Sequence, residues 1–348
     1  MFLRNSWYLA AWGHELGDGL LARTLLNEPV VLYRGEDGRP AALEDRCCHR
    51  SMPLSMGRRT GNNLQCGYHG LVFDPAGQCI QIPGQTTVPP GSRIRSYPVV
   101  ERWKAVWIWM GEPAKADPAL VPDWWWMDHP AWRPVIGPVL PIAGHYELVN
   151  DNLLDLSHTS YIHGDTIGNL AQLEFPIRTE RFETGVCMTR WTIDRPAPPL
   201  YQDIGKFRGN VDRWQIVTST VPCFSDVHIG MVDTGLGQEE GVRRGGLEFH
   251  NVNAATPETE RSCFQFYAHA RHFAQASAEV DEIYARDFQR VFRQDVVAIG
   301  AQQKNMDVFR NAPQIDINVD APGLALRRLI ATALAAEARG ETPLLRRA

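Results

Sequence analysis

Apolar and polar positions alternate with a period near two through most of the first 110 residues, the pattern of short strands. Pro29–Arg34 and Ala41–Glu44 are two such runs, joined by Gly35-Glu36-Asp37-Gly38, and the Asp37-Gly38 pair marks a hairpin. Leu71–Phe73, Asp74-Pro75-Ala76-Gly77 and Gln78–Ile80 predict a second hairpin. Arg102 to Met110 reads as one strand with Trp103, Trp107 and Trp109 on a single face, stopped by Gly111-Glu112-Pro113. Residues 1–112 are therefore expected to form an all-β domain. Residues 113–140 are rich in Pro and Trp and include Trp124-Trp125-Trp126. They read as a linker and packing segment, where a Trp run fills core more readily than it binds a π ligand.

From Ile142 the period changes. A helix is expected from Glu147 to Ile162. Strands are expected around Arg190, at Trp214–Val217, His228–Val232, Gly246–Val252 and Ser262–Ala270. A long helix over Ala278–Gln303 and a last one over Leu324–Arg339, stopped by Gly340, complete the pattern. Strands bracketed by helices predict an α+β domain over residues 113–348, with an antiparallel sheet and covering helices.

Composition narrows the classes. The chain has 348 residues, more than one ordinary domain. Its net charge of −5 leaves no nucleic-acid footprint. No run of about eighteen apolar residues predicts a membrane span. The N-terminus, Met1-Phe2-Leu3-Arg4-Asn5-Ser6, lacks the apolar stretch of a secretory signal, so a cytoplasmic protein is expected. Seven Cys without repeated spacing do not form a disulfide framework. Cys79, Cys187, Cys223 and Cys263 read as small buried hydrophobes.

Two loops concentrate metal-binding chemistry. Cys47-Cys48-His49-Arg50 and Cys66-Gly67-Tyr68-His69-Gly70 each offer a thiolate and an imidazole. A [2Fe–2S] cluster held by Cys on one iron and His on the other needs this supply. A closed tetrahedral zinc site would use the same four side chains. The spacings, Cys-x-His and Cys-x-x-His, show that the loops are not copies of each other. Gly67 and Gly70 let the second loop bend without a Cβ clash.

A second constellation lies in the expected α+β domain. Asp155 and His158 are three apart and share a helix face. His158 and His163 are five apart, about 140° of rotation on a straight helix, so the helix must widen or end for both to reach one ion. Gly164 suits such an end. On the long helix Tyr284, Phe288, Val291, Phe292 and Ile299 make an apolar stripe that contains Asp295. A carboxylate there must be paired with an arginine or bound to a metal. Taken together, His158, His163 and Asp295 would be the two-imidazole, one-carboxylate facial set of a non-heme iron(II), with open positions for O₂.

These motifs carry a resemblance. Cys47-x-His49-Arg50, a sixteen-residue gap from Arg50, Cys66-x-x-His69-Gly70 and Pro83-Gly84-Gln85 resemble the Rieske domain of the Rieske non-heme iron oxygenases. Asn152-x-x-Asp155-x-x-His158-x4-His163 followed by a helical Asp295 resembles their catalytic domain. The family usually has Pro where Cys48 stands; Cys47 is taken as the ligand because only it gives the Cys-x-His spacing. Asn5-Ser6-Trp7-Tyr8, Asp212-Arg213-Trp214-Gln215 and Asp320-Ala321-Pro322-Gly323 are among the stretches most similar to the vanillate O-demethylase, dicamba O-demethylase and toluenesulfonate methyl-monooxygenase branch.

The resemblance implies a homotrimer fed with NADH electrons by a separate flavin and iron–sulfur reductase; this chain itself has no Gly-x-Gly-x-x-Gly fingerprint. It implies O₂-dependent hydroxylation of an aromatic methyl group, releasing formaldehyde where the methyl is on oxygen. It also makes Asp155 the carboxylate that bridges His158 to the cluster ligand His69 of a neighbouring subunit. Asn152 is expected near the iron, and His250 and Asn251 are candidates to hold a carboxylate or phenol of the substrate. The competing readings are a ring cis-dihydroxylating oxygenase of the same fold, an electron carrier that uses only the cluster, and a zinc-stapled binding module.

Overall fold

In the computed structural model, which describes residues 1–236 and 246–341, the alternating runs near the N-terminus form short antiparallel strands. One unit comprises Met1–Val121 with Pro257–Glu260, and the other Pro122–Thr256 with Arg261–Ala348. The first holds three small sheets. Trp7–Trp12 pairs with Ala105–Trp109, which pairs with Val99–Arg102. Leu21–Leu25, Glu28–Arg34, Pro40–Glu44 and Ser96–Tyr97 make the second. Arg58–Thr60, Asn63–Gln65, Val72–Phe73 and Cys79–Gln81 make the third.

Both expected hairpins form. Gly38 and Gly77 take positive φ in their turns, and the Asp37 and Asp74 carboxylates accept the backbone N–H groups of Arg39 and Gln78. The single strand expected over Arg102–Met110 is instead a hairpin. Trp103 and Lys104 both have φ near +60°, a two-residue turn that pairs Arg102 with Ala105. Trp107 and Trp109 are fully buried, while Trp103 sits in the turn. Residues 113–140 are more than a linker: Arg133–Ile136 and Leu140–Ile142 both pair with Ser262–Arg271.

The second unit is built on one eight-stranded sheet. Its order is Arg133–Ile136, Ser262–Arg271, Leu247–Thr259, Phe224–Asp233, Val211–Thr220, Gly185–Arg195 and Arg178–Phe182, with Leu140–Ile142 also on Ser262–Arg271. Six helices accompany it: α1 Tyr146–Leu154, α2 Thr159–Ile162, α3 Pro199–Gly205, α4 Ala278–Ile283, α5 Gln289–Val308 and α6 Ala321–Ala338. Between α4 and α5 the chain makes a π-helical turn, Tyr284–Phe288, so the long helix carries one wide turn ahead of Asp295. The apolar stripe survives it: Tyr284, Phe288, Val291, Phe292 and Ile299 are all buried.

The helix expected over Glu147–Ile162 is interrupted. Asp155, at φ −111° and ψ 88°, ends α1 and opens a 3-10 turn, Leu156–His158, that leads into α2. The Asp155 carboxylate accepts the Ser157 N–H at 2.8 Å and so caps the new turn. Asp155 and His158 therefore do not share one continuous helix face. His163 lies one residue beyond α2, at φ −120° and ψ 25°, the end that the five-residue spacing demanded.

Candidate metal centres

The two cluster loops have unlike sequences and like backbones. In the first, the Cys47 N–H donates to Met52 O and the Ser51 N–H to Cys47 O. In the second, the Cys66 N–H donates to Leu71 O and the Gly70 N–H to Cys66 O. Each loop is thus closed by the same pair of bonds, and Ser51 and Gly70 occupy matching places with φ of 56° and 75°. The His falls third in one loop and fourth in the other. Gly67 is required by close approach, since a Cβ there would lie 2.7 Å from Met56 O.

The loops sort their side chains by polarity. Cys47 and Cys66 are buried in an apolar cluster with Leu54, Leu64, Leu71 and Phe73, whereas His49 and His69 are exposed, their rings 4.6 Å apart. Burial pushes the Cys47 thiol up to about 11, and the neighbouring Cys66 thiol pushes in the same direction. Two buried cysteine side chains beneath two exposed imidazoles fit a group that binds as thiolate on its inner side and imidazole on its outer side. Cys48 is half-buried and packs against the same apolar cluster.

The second centre is assembled from distant segments. One ligand atom each from His158, His163 and Asp295 falls within 4.8 Å of the others. Asp295 Oδ1 is 3.5 Å from His158 Nε2 and 3.1 Å from His163 Nε2. The far sides of both rings are engaged. His158 Nδ1 contacts the Asp155 carbonyl, and His163 Nδ1 lies 2.8 Å from Gln294 Oε1. Those acceptors hold the proton on Nδ1 and leave each Nε2 lone pair for an ion. Asn152 Nδ2 donates to Asp295 Oδ1 at 3.0 Å. Burial lowers His158 below the usual imidazole value; at His163 burial also pulls down, but the hydrogen bond and charge of Asp295 together with the Gln294 bond raise the net value. Two neutral-capable imidazoles and a buried carboxylate fit iron(II).

Gln172 supports the segment that carries both His. It is fully buried, and its Nε2 lies within donating distance of Leu156 O (3.1 Å), Thr159 Oγ1 (2.8 Å) and Ser160 Oγ (2.6 Å). Arg190, from the sheet, donates to Ser157 Oγ at 2.8 Å.

A cavity opens beside the three groups. It is lined by His158, His163, Asp295 and Asn152, by the aromatic rings of Tyr201, Phe249, Phe288 and Phe292, and by Arg213, Gln215 and Asn251 from the sheet. Asn251 lies 2.6 Å from His269 Nε2 and accepts from Asn253. Its chain neighbour His250 points to the other face of the sheet, as period two requires. There it stacks on Trp126 and His228 at 4.0 and 4.3 Å and faces Asp226 at 2.9 Å. His250 is not among the side chains that line the cavity.

Gln294 and Gln172 carry no motif, Arg213 and Gln215 fall in a stretch quoted above only for its family resemblance, and the sequence reading gave none of the four a role in the site. One signal was present. Val211, Arg213, Gln215 and Val217 share one strand face, so two polar residues interrupt an apolar row, as Asp295 does on its helix.

Comparisons with known proteins agree with this geometry. Residues 6–98 match the Rieske [2Fe-2S] domain, and residues 142–336 match the Vanillate O-demethylase oxygenase C-terminal domain. The chain is 40% identical to the toluene-4-sulfonate monooxygenase system iron-sulfur subunit TsaM1 of Comamonas testosteroni, over 99% of this chain and 100% of that one. It is 36% identical to a vanillate O-demethylase oxygenase subunit of a Pseudomonas species, over 97% and 96%. The crystal structure of dicamba monooxygenase bound to dicamba superposes with a TM-score of 0.89 at 31% identity, covering 97% of this chain and 99% of that one. Among the described residues no helix is long and apolar enough to cross a membrane. With both domain families in tandem and relatives matched from end to end, the chain belongs to the Rieske non-heme iron oxygenases.

Proposed function

We propose that this chain is the oxygenase subunit of a monooxygenase that hydroxylates a methyl or O-methyl carbon on an aromatic ring. The observation that supports it most is the meeting of His158, His163 and Asp295 at a cavity walled by Tyr201, Phe249, Phe288 and Phe292. Cys47 and Cys66 would hold one iron of the cluster and His49 and His69 the other; His158, His163 and Asp295 would hold the mononuclear iron. Bound there, the iron would supply O₂ activation and the cluster would supply its electrons one at a time.

The protein's own groups prepare that chemistry. The Asp155 carbonyl and Gln294 fix the imidazoles so that each Nε2 faces the ion. Asn152 holds one Asp295 oxygen in place. The aromatic walls bind a flat ring and keep water from its methyl group. The relatives named above act on toluene-4-sulfonate and vanillate, and a methylated or methoxylated aromatic is the substrate class we assign here. The electrons would come from NADH through a separate flavin and iron–sulfur reductase. A homotrimer would place the Asp155 carboxylate of one subunit between its own His158 and a neighbour's cluster imidazole.

Turnover with a reductase, NADH and a set of methylated and methoxylated aromatics tests the reading. Formaldehyde or a benzylic alcohol in step with O₂ use supports it. A cis-diol product, or cluster reduction without O₂ use under any substrate, overturns it. Asp155→Asn is expected to keep both iron centres and to lose reoxidation of the reduced cluster by O₂ and substrate; reoxidation at wild-type speed removes Asp155 from the electron path.

A further inference from the structure

The sheet wall of the cavity carries a block of polar side chains whose hydrogen-bonding groups are unmatched. Arg190 and Thr192 lie on Gly185–Arg195, and Arg213 and Gln215 on the neighbouring Val211–Thr220; the register pairs Arg190 with Gln215 and Thr192 with Arg213. All four are at most 4% exposed. Gln215 makes no hydrogen bond through either amide atom; Arg213 Nε, Arg190 Nε and Nη1 and Thr192 Oγ1 also lack partners. Such atoms are rare in native interiors because each costs its full desolvation when left unpaired.

Charge sharpens the point. Among the described residues, no carboxylate forms an ion pair with Arg190 or Arg213. Arg213 has only long contacts, 3.5 Å to Gln172 Oε1 and 3.3 Å to Ile167 O, and its guanidinium carbon stands 5.4 Å from the Tyr201 ring centre. Burial pulls Arg213 down to about 10, and the nearby Arg190 charge pulls it the same way. The Asp155 carboxylate favours the Arg190 charge, but Arg213 has no ion-paired carboxylate, and a buried cation in that state is costly unless something negative arrives. Arg213 and Gln215 both line the cavity that holds His158, His163 and Asp295, so the arrival must come through the substrate site.

We infer that the substrate enters as an aryl anion, a ring bearing a sulfonate or a carboxylate, and that Arg213 and Gln215 receive the anionic head while Arg190 adds positive potential behind them. This rests on the oxygenase reading above and narrows its substrate class. An anchor of this kind fixes the opposite end of a flat ring, and so selects which methyl faces the iron ligands.

The test is calorimetric binding to the anaerobic enzyme with both iron centres filled. Three probes differ only in the head group: 4-toluenesulfonate, 4-methylbenzoate and the neutral 4-methylbenzenesulfonamide. Wild type should bind an anion more tightly than the sulfonamide, and the tighter of the two anions identifies the head group. Arg213→Met should weaken anion binding by roughly 30-fold or more and sulfonamide binding by no more than about 3-fold. Gln215→Met should weaken both head groups by about 5-fold to 10-fold, because it removes a hydrogen bond and no charge.

Equal losses for anion and sulfonamide in Arg213→Met, with falling iron content, would make Arg213 a fold-supporting residue and overturn the inference. Should that variant fail to fold, wild type and Gln215→Met decide: sulfonamide bound as tightly as the anions overturns it, and an anion preference in wild type with both head groups bound more weakly in Gln215→Met upholds it. The two readings fail separately. Anions that bind through Arg213 without being hydroxylated would remove the proposed reaction and leave the anchor. Neutral methyl arenes hydroxylated with no preference for anions would do the reverse.

Discussion

The two proposed metal centres are built on opposite plans. The proposed cluster ligands span only Cys47 to His69, and each loop is closed by its own two backbone hydrogen bonds. The mononuclear ligands join His158 and His163 to Asp295, 132 residues beyond His163, and depend on α5 packing against the broken segment that follows α1. A local site is specified by backbone turns, so its motif is visible in the chain. A site gathered from afar is specified by packing and by polar groups that orient the ligands; Asn152 and Asp155 fall in a motif, but Gln294 and Gln172 do not. Breaking a ligand should therefore disable either centre, whereas breaking a neighbour should affect the second more than the first.

The largest effects should come from the ligands themselves and should dissociate cleanly. Cys66→Ser is expected to lose the visible absorption of the cluster while the mononuclear iron still binds. Asp295→Ala should retain that absorption, release the mononuclear iron and reduce turnover by more than about 100-fold, beyond what loss of an orienting partner costs. Iron content and absorption measured on both variants check the comparison. Loss of the cluster in Asp295→Ala would show that the two centres are not independently built.

An intermediate effect is expected at Gln294. Replacing it with Leu removes the acceptor for His163 Nδ1–H, frees the ring to rotate or change tautomer, and should weaken iron binding by roughly 10-fold to 100-fold. The equivalent partner of His158 is a backbone carbonyl, that of Asp155, which no substitution removes. Gln294→Leu with unchanged iron affinity, measured by competition with a chelator, would mean that packing alone holds His163.

Much of this was legible from residue order. Thiol and imidazole spacing pointed to the cluster loops, and a carboxylate on an apolar stripe pointed to Asp295. The sheet, the long helix and the break near His163 followed from periodicity and from the five-residue spacing. What escaped has physical reasons. The break at Asp155 depends on its carboxylate capping Ser157, a choice between helix and cap that sequence leaves open. Trp103 and Lys104 form a turn without Gly, Asn or Asp to announce it. His250 and Asn251, adjacent in sequence, must face opposite sides of a strand, and only the register says which one reaches the cavity. Gln172 sits in a short 3-10 helix, Leu170–Glu174, and its three contacts arise entirely from tertiary packing.

The smallest expected effects test whether the cluster loops are as alike as their hydrogen bonds make them. Ser51 and Gly70 hold the same place in the two turns, both at positive φ, yet only one is glycine. An L-residue in this region carries roughly 1–2 kcal/mol of local strain. Ser51 already bears that strain, so Ser51→Gly relieves it and gains flexibility in the unfolded chain; the two effects nearly cancel, leaving a change within about 1 kcal/mol. Gly70→Ala has no such compensation, because the new Cβ would also stand 2.9 Å from Pro83 Cγ. It should lower the thermal midpoint of the cluster-loaded protein by several degrees, as expected for roughly 2 kcal/mol in a domain of this size. Equal shifts in the two variants would mean that the matching bonds conceal unequal loops, and that the second turn gains nothing from its glycine.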